Sequence, residues 1–253
     1  MEDAHTLIDS FNGSTQKAFF GIYDGHGGKQ AADYAAQHVH ENFTHALKKD
    51  GDIASAWKNA MRTTDDQLKE NEIIFSGSTA VCCYIDKEAK TDSRDGVIYV
   101  SNVGDARAVL GIRNQENTFA VKELSHDHKV TDRDEIDRIN SSGGFVSQNR
   151  VNGILGVSRA LGDHLLKELV ISDPFMTTTD IANGVEFVVL GCDGIFDVLT
   201  NDQVVQIAAK SLNESLTNGK TPMQAANLAA KKLLASALEA FTTDNVSVIV
   251  IIL

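Results

Sequence analysis

Cysteine is scarce, and its placement excludes more than its number does. The chain has three, Cys82, Cys83 and Cys192. An odd count, with two residues adjacent in an apolar run, does not fit the disulfide framework of a small secreted domain. The expectation is a reducing setting, cytoplasmic and also nuclear, with Cys82 and Cys83 filling a core. Proline is scarcer still: Pro174 and Pro222 are the only two, so no proline-rich linker divides the chain. Long apolar runs are missing. The longest span about eight residues, far short of the ~20 that a membrane helix needs. Met1-Glu2-Asp3-Ala4-His5 has neither a basic nor an apolar stretch, so it does not read as a secretion signal. Basic excess is missing too. Lys and Arg number 23 against 35 Asp and Glu, for a net charge of −12. That balance argues against nucleic acid or an anionic membrane as a partner, because both demand basic surfaces. It leaves phosphorylated substrates open, provided that bound cations invert the local charge.

What is present is ordinary globular material. The 253 residues are 42% apolar and 23% charged, enough to bury a core without covalent staples. Thr6–Ile8 and Phe19–Tyr23 read as a strand pair joined through Asn12-Gly13. Ala31, Ala35, Val39, Phe43 and Leu47 recur every four residues and predict a helix from about 29 to 47. A second helix is predicted over Ile53–Glu70. Strands follow at Thr79–Ile85, Val97–Val103 and Ala106–Arg113, the last two expected to pair as a hairpin around Gly104-Asp105. The charged stretch from Asp86 to Gly96 reads as a loop. A short helix is predicted over Thr131–Ser142, stopped by Gly143-Gly144. Phe145 to Asp180 has no period and reads as an irregular, flap-like segment. Strand Glu186–Cys192, helices over 202–216 and 221–240, and strand Val246–Leu253 complete the chain. Thr221 is placed to cap the last helix, with Pro222 at its first position. Strands and helices do not alternate one for one. The expectation is therefore α+β, antiparallel sheets with helices packed outside, rather than a Rossmann-like parallel sheet.

The chemistry sits where strands meet aspartates. Phe19–Tyr23 runs into Asp24-Gly25-His26, and Phe187–Cys192 runs into Asp193-Gly194. Val97–Val103 runs into Gly104-Asp105, and the last strand begins just after Asp244-Asn245. In antiparallel sheets one strand's end lies beside its neighbour's start, so four carboxylates can gather at one rim. Clustered carboxylates stay ionised together only around cations. An Asp-Gly pair alone is an ordinary turn. Two of them at the ends of apolar strands point further, since glycine lets a backbone carbonyl approach a metal. Asp24, the Gly25 carbonyl, Asp193 and Asp244 offer only oxygen, which suits Mg²⁺ or Mn²⁺ better than zinc. His26 beside such a site is a candidate general acid.

Seven blocks then occur in order: Met1-Glu2-Asp3-Ala4-His5, Asp24-Gly25-His26-Gly27-Gly28, Gly77-Ser78-Thr79-Ala80, Asn102-Val103-Gly104-Asp105-Ala106-Arg107, Val157 to Asp163, Cys192 to Val198, and Asp244-Asn245-Val246. Together these motifs resemble the metal-dependent serine/threonine protein phosphatases of the protein phosphatase 2C family, across essentially the whole chain. The resemblance implies a four-layer α-β-β-α sandwich, two antiparallel sheets flanked by helix pairs, as one catalytic domain over residues 1–253. It implies two Mg²⁺ or Mn²⁺ ions bridged by Asp24, with the Gly25 carbonyl on one ion and Asp193 and Asp244 on the other. Glu2 and Asp3 match an acidic pair acting largely through metal-bound waters. Asp105, Asp193 and Asp197 match a weaker third site, although Asp197 also reads as a cap of the next turn. A water activated between the cations would hydrolyse phosphoserine or phosphothreonine, His26 would protonate the leaving oxygen, and the cysteines would take no part.

The resemblance further implies a monomer acting on phosphoprotein substrates. Ser158, Arg159 and Asp163 read as structural more than substrate-binding. The run Ser125-His126-Asp127-His128-Lys129 reads as a loop rather than a zinc cluster. One departure stands out: the arginine that grips phosphate a few residues before the Met-Glu-Asp block has no counterpart ahead of Met1. The family pattern also has a strand or two ahead of this point, so the expectation is either that the sequence is a shortened form or that phosphate grip is weaker, with lower activity or stability than in an extended form. Two other readings compete. A non-catalytic scaffold in a kinase pathway would be expected to have lost metal aspartates. A two-metal nuclease would need basic stripes.

Overall fold

Apolar spacing divides the chain into helices that bury one stripe and strands that bury one or both faces. A computed structural model describes residues 1–253. Strands β1 (Ala4–Ile8), β2 (Lys17–Tyr23) and β3 (Gly25–His26) come first, followed by helices α1 (Gln30–Asp50) and α2 (Ile53–Glu70). Strands β4 (Gly77–Ser78), β5 (Ala80–Asp86), β6 (Gly96–Val103), β7 (Arg107–Arg113) and β8 (Phe119–Glu123) lead to helix α3 (Arg133–Ser141). Short strands β9 (Val146–Ser147), β10 (Arg150–Val151) and β11 (Leu161–Gly162) precede β12 (Phe175–Ile181) and β13 (Val185–Gly191). Helices α4 (Asp193–Phe196), α5 (Asn201–Thr217) and α6 (Pro222–Glu239) and strand β14 (Val248–Ile252) close the chain.

The helix ends follow their sequence signals. The Asp52 carboxylate accepts the Ser55 N–H at 2.8 Å to open α2, and Gly51 ends α1 at φ 67°. Thr200 with Gln203, and Thr221 with Gln224, form reciprocal capping boxes at α5 and α6, the second with proline at the start of the helix.

Every pairing within the sheets is antiparallel. One sheet runs β1-β2-β5-β6-β12 and another β14-β13-β7-β8, while β11, β4 and β3 make a small separate ribbon. Fold class is therefore α+β, as expected. An apolar cluster joins Phe19, Phe43, Trp57, Met61 and Tyr84, tying α1 and α2 to the five-stranded sheet. The Phe43 and Trp57 rings stack at 4.0 Å between centroids. A second cluster ties α5 and α6 to the four-stranded sheet through Phe187, Val189, Val204, Leu212 and Leu233. A third contains residues of both sheets, Ile22, Val81 and Val100 from one and Leu110, Val188 and Leu190 from the other. Strands so placed are apolar on both faces, which is why β5 and β13 read as nearly unbroken apolar runs.

Three expectations need correction. Val97–Val103 and Ala106–Arg113 do not pair with each other. β6 pairs with β5 and β12, whereas β7 pairs with β13 and β8, so Gly104-Asp105 carries the chain from one sheet to the other. A short link between apolar strands has the same local signal whether it turns back in one sheet or crosses to another. Phe145 to Asp180 is also more regular than expected. It holds the β9-β10 hairpin and all but the last residue of β12, which lies along β6 from Phe175 opposite Asn102 to Ile181 opposite Gly96. Its core, Met176-Thr177-Thr178-Thr179-Asp180, is half-exposed and polar, so an edge strand there carries no apolar period. The third concerns the stretch after Arg113, where no strand is expected: β8 is a five-residue edge strand whose Phe119 and Val121 are half-buried and whose other residues are exposed.

Arg159 takes the structural place expected of it. Its guanidinium donates to Glu135 at 2.5 and 3.0 Å, and Arg138 donates to the same carboxylate at 2.9 Å. The Glu135 side chain is 5% exposed. Burial alone would raise its pKa, but hydrogen bonds from Arg159, Ser158 and Arg138 outweigh burial and hold it at about 2. Glu135→Ala would leave two partly buried guanidinium groups uncompensated. It is expected to lower unfolding free energy by about 3–5 kcal/mol in urea titrations at neutral pH. A loss below ~1 kcal/mol would show that solvent already screens the cluster.

Candidate metal centre

Strand register decides which carboxylates meet. Ala4 lies opposite Tyr23, so Asp3 and Asp24 continue that pairing beyond the end of β2. Gly191 lies opposite both Arg107 and Val248. Asp193 therefore falls at the level of Asp105 on one side and of the segment after Asp244 on the other. The apolar layer between the two sheets then brings the two groups to a common rim. Ligand atoms of Asp24, Asp193 and Cys192 all lie within 4.8 Å of one another.

The other expected residues surround this pair at different ranges. Asp3 is half-buried; one of its oxygens accepts the Ser247 hydroxyl at 2.6 Å while the other, Oδ1, is buried without a partner. Asp105 is half-buried at the crossover, and Asp244 is exposed, its carboxylate accepting the Asn245 N–H at 2.7 Å. Glu2 enters through its backbone: its N–H donates to the Asn245 side chain at 2.9 Å, which ties β1 to the loop before β14. Asp197 is exposed and forms the C-cap of the short helix α4, its N–H donating to the Asp193 carbonyl at 2.8 Å, while the N-cap of the next helix, α5, is Thr200. Gly25 has no room for a side chain, because a Cβ would strike the Glu2 carbonyl. Gly194 is in the same position against the Asn245 carbonyl.

These carboxyls are out of their ordinary range for one reason. Burial, then the negative charges of Asp193, Asp3 and Asp105, push Asp24 up to about 9. Burial and then Asp193 push Asp105 up to about 7. Asp193 is raised by burial and then by Asp244, and its Oδ1 is buried with no hydrogen-bond partner. Without a cation, Asp24 and Asp193 are held together only if a proton is retained between them. Oxygen donors with orphaned lone pairs, set against their own repulsion, fit hard divalent cations. Cys192 is the unexpected neighbour. Its thiol donates to the Asn245 carbonyl and accepts the Ser247 N–H, and burial pushes it up to about 12. It is a neutral structural group there, not a nucleophile.

His26 lies on the small ribbon next to this rim. Its Nε2 sits 2.7 Å from Oδ2 of Asp163, a carboxylate that is only 7% exposed. His26 and Gly162 both face Gly77 across the ribbon, and a Cβ at Gly77 would strike the Asp163 carboxylate and the imidazole. Asp65 in α2 anchors the ribbon by accepting the Gly162 N–H and the Lys167 ammonium, each at 2.8 Å. Asp163, expected from the sequence to be structural, holds the candidate acid directly. Its direct bond to the candidate acid was not legible, since 137 residues separate the two. The only local signal is Asp163 itself, an acid directly after the apolar Ala160-Leu161-Gly162.

An acidic rim built from the ends of two packed sheets, with the neutral Cys192 thiol among its carboxylates and a carboxylate-held histidine beside it, has the make-up of a candidate hydrolytic centre for divalent cations. A family model described as Protein phosphatase 2C matches residues 1–246. The Saccharomyces cerevisiae Protein phosphatase 2C homolog 1 is 33% identical, over 100% of this chain and 88% of its own length. The Schizosaccharomyces pombe protein of the same name is 35% identical, over 99% and 68%. A solved structure described as a C. elegans sex determining protein superposes with a TM-score of 0.84 at 25% identity, covering 99% of this chain and 61% of that one. A serine-threonine phosphatase 2C from Toxoplasma gondii superposes at 0.81 with 21% identity, covering 99% and 90%, which speaks for the fold. The chain belongs to the protein phosphatase 2C family, an enzyme family of metal-dependent serine/threonine phosphatases.

The raised carboxyls set a pH dependence. A carboxyl raised from 3.8 to about 9 stabilises the cation-free folded state at low pH, and that contribution is lost as pH rises through this window. Cations replace the retained proton, so they must matter more at high pH. Mn²⁺ or Mg²⁺ at a hundredfold excess over Kd is expected to raise Tm by about 5–10 °C at pH 8. The shift at pH 6 should be clearly smaller, with proton release visible as a buffer-dependent heat of binding. Equal shifts at both pH values would contradict the retained proton.

Proposed function

We propose that the chain is a Mg²⁺- or Mn²⁺-dependent phosphatase that hydrolyses phosphoserine and phosphothreonine in proteins. The observation that carries this reading is the convergence of Asp24 and Asp193 from different sheets onto one rim beside the His26–Asp163 pair. In this reading residues 1–253 act as one catalytic unit, a four-layer α-β-β-α sandwich. The three apolar clusters support that layering: helix pair on sheet, sheet on sheet, and sheet on helix pair.

Asp24 would be shared by two ions, with the Gly25 carbonyl on one side and Asp193 and Asp244 on the other. Glu2 and Asp3 would act through bound waters, and Asp105 with Asp197 would serve a weaker third ion. Divalent cations at such a site neutralise phosphate charge and lower the pKa of bound water toward neutrality. The chain's own groups do the rest. Asp163 fixes the His26 ring through Nε2, which leaves Nδ1 as the nitrogen to deliver a proton to the departing serine or threonine oxygen. Cys82, Cys83 and Cys192 are all buried, free thiols, which supports hydrolysis without a thiol intermediate and fits a reducing, cytoplasmic or nuclear setting. No observation favours a scaffold: Asp24, Asp193 and Asp244 are all in place.

Hydrolysis of a phosphothreonine peptide is expected with Mn²⁺ or Mg²⁺ and should vanish in EDTA. Asp193→Asn should lower kcat/KM at least ~10²-fold, because one ion loses a charged ligand. Near-full activity of that variant in Mn²⁺ would remove Asp193 from the site. His26→Ala should leave cation binding intact by calorimetry. It should cost about 10²-fold or more on the phosphothreonine peptide but far less on an aryl phosphate, whose leaving group needs no proton. Equal losses on both substrates would exclude His26 as the acid.

A further inference from the structure

Most large apolar side chains here are buried, and single exposed ones are normal. Phe75 and Leu165 are different because of where they stand. Phe75 is 77% exposed and Leu165 is 70% exposed. Both flank the ribbon that carries the imidazole. The Asp163 N–H donates to the Ser76 carbonyl and the His164 N–H to the Ile74 carbonyl, each at 3.1 Å. Hydrogen bonding between the two segments thus continues past the last residues of β11 and β4, with Phe75 on one segment and Leu165 within the Asp163–Leu166 turn of the other. The Phe75 carbonyl also packs against the residue after His26, where a Cβ on Gly27 would come within 3.0 Å of it. Neither side chain dangles on a loose segment. The Leu166 N–H closes the turn onto the Asp163 carbonyl at 2.8 Å, and Asp65 pins the ribbon from beneath.

We infer that Phe75 and Leu165 form an apolar subsite for the substrate polypeptide, which takes a bulky apolar side chain one or two residues from the phosphorylated one. The inference rests on the phosphatase reading above and names the class of sequence that site selects. The imidazole marks the leaving-group side of the reaction, so the peptide backbone must pass over this ribbon. An extended peptide advances about 3.3–3.6 Å per residue, so immediate neighbours of the phosphoresidue come within reach of side chains that flank the imidazole. Neither Phe75 nor Leu165 carries a charge or a side-chain hydrogen-bonding group, so burial of apolar surface is the attraction that they can supply.

The test compares two phosphothreonine peptides, identical except for leucine or serine at the positions flanking the phosphothreonine. Both are assayed with Mn²⁺ on the wild-type chain and on the double variant Phe75→Ser, Leu165→Ser, with p-nitrophenyl phosphate as a substrate that has no flanks. Wild type is expected to favour the leucine peptide about tenfold in kcat/KM. The double variant should lose that preference and keep wild-type turnover of the aryl phosphate. Equal use of both peptides by wild type, or a preference that survives in the variant, overturns the inference and leaves the phosphatase reading standing. Loss of aryl phosphate turnover in the variant also overturns it, because the pair would then be structural. Failure of wild type to hydrolyse the aryl phosphate with Mn²⁺ would remove the phosphatase reading itself, and the subsite with it.

Discussion

The mutual repulsion of Asp24 and Asp193 is the constraint around which the rest of this structure is arranged. Neither residue chooses its position locally. Each is the first polar residue after a buried strand, and the strands belong to different sheets. What forces them together is the apolar layer between those sheets, where Ile22, Val81 and Val100 meet Leu110, Val188 and Leu190. Burial of that layer is non-directional and strong, and it overrides the unfavourable approach of carboxylates at its edge. The cost appears as carboxyls pushed far above their ordinary range and as acid oxygens without partners. Bound divalent cations would offset that cost, which is the physical basis of the proposed metal centre.

Close backbone approach follows from the same arrangement. Gly25 and Gly194 each follow a rim aspartate, and each lies against a carbonyl of a neighbouring segment, Glu2 in one case and Asn245 in the other. Asn245 also receives the Glu2 N–H, so the first and last segments of the chain are joined directly behind the carboxylates. The ribbon of β3, β4 and β11 is a second device, built on Gly77. It holds a histidine to a buried carboxylate beside the rim and is itself held from below by Asp65. Both devices lie within the residues that the protein phosphatase 2C family model matches.

Much of this was legible beforehand, for identifiable reasons. The helices α1, α2, α5 and α6 announce themselves through a four-residue apolar stripe and explicit caps. The central strands announce themselves through unbroken apolar runs. Asp24, Asp193, Asp105 and Asp244 were legible because each adjoins such a run. The errors fall where the signal is weak by nature. Edge strand β12 is half-exposed and mostly polar, and β8 is only five residues long, so neither carries an extended apolar period. The link at Gly104-Asp105 looks like a hairpin turn because only the partner strands, far away in sequence, decide which sheet each side joins.

The amino-acid sequence by itself therefore determined the elements, the α+β class and the acidic residues at strand ends, because these depend on local spacing and on burial of nearby side chains. Tertiary structure alone decided which carboxylates meet, that Asp163 holds His26, that Cys192 lies inside the acidic cluster, and that Arg159 turns away to Glu135. The physical reason is distance along the chain. A pairing such as His26 with Asp163, or Glu2 with Asn245, is set by strand register and sheet packing, and neither leaves a mark on the residues next to it.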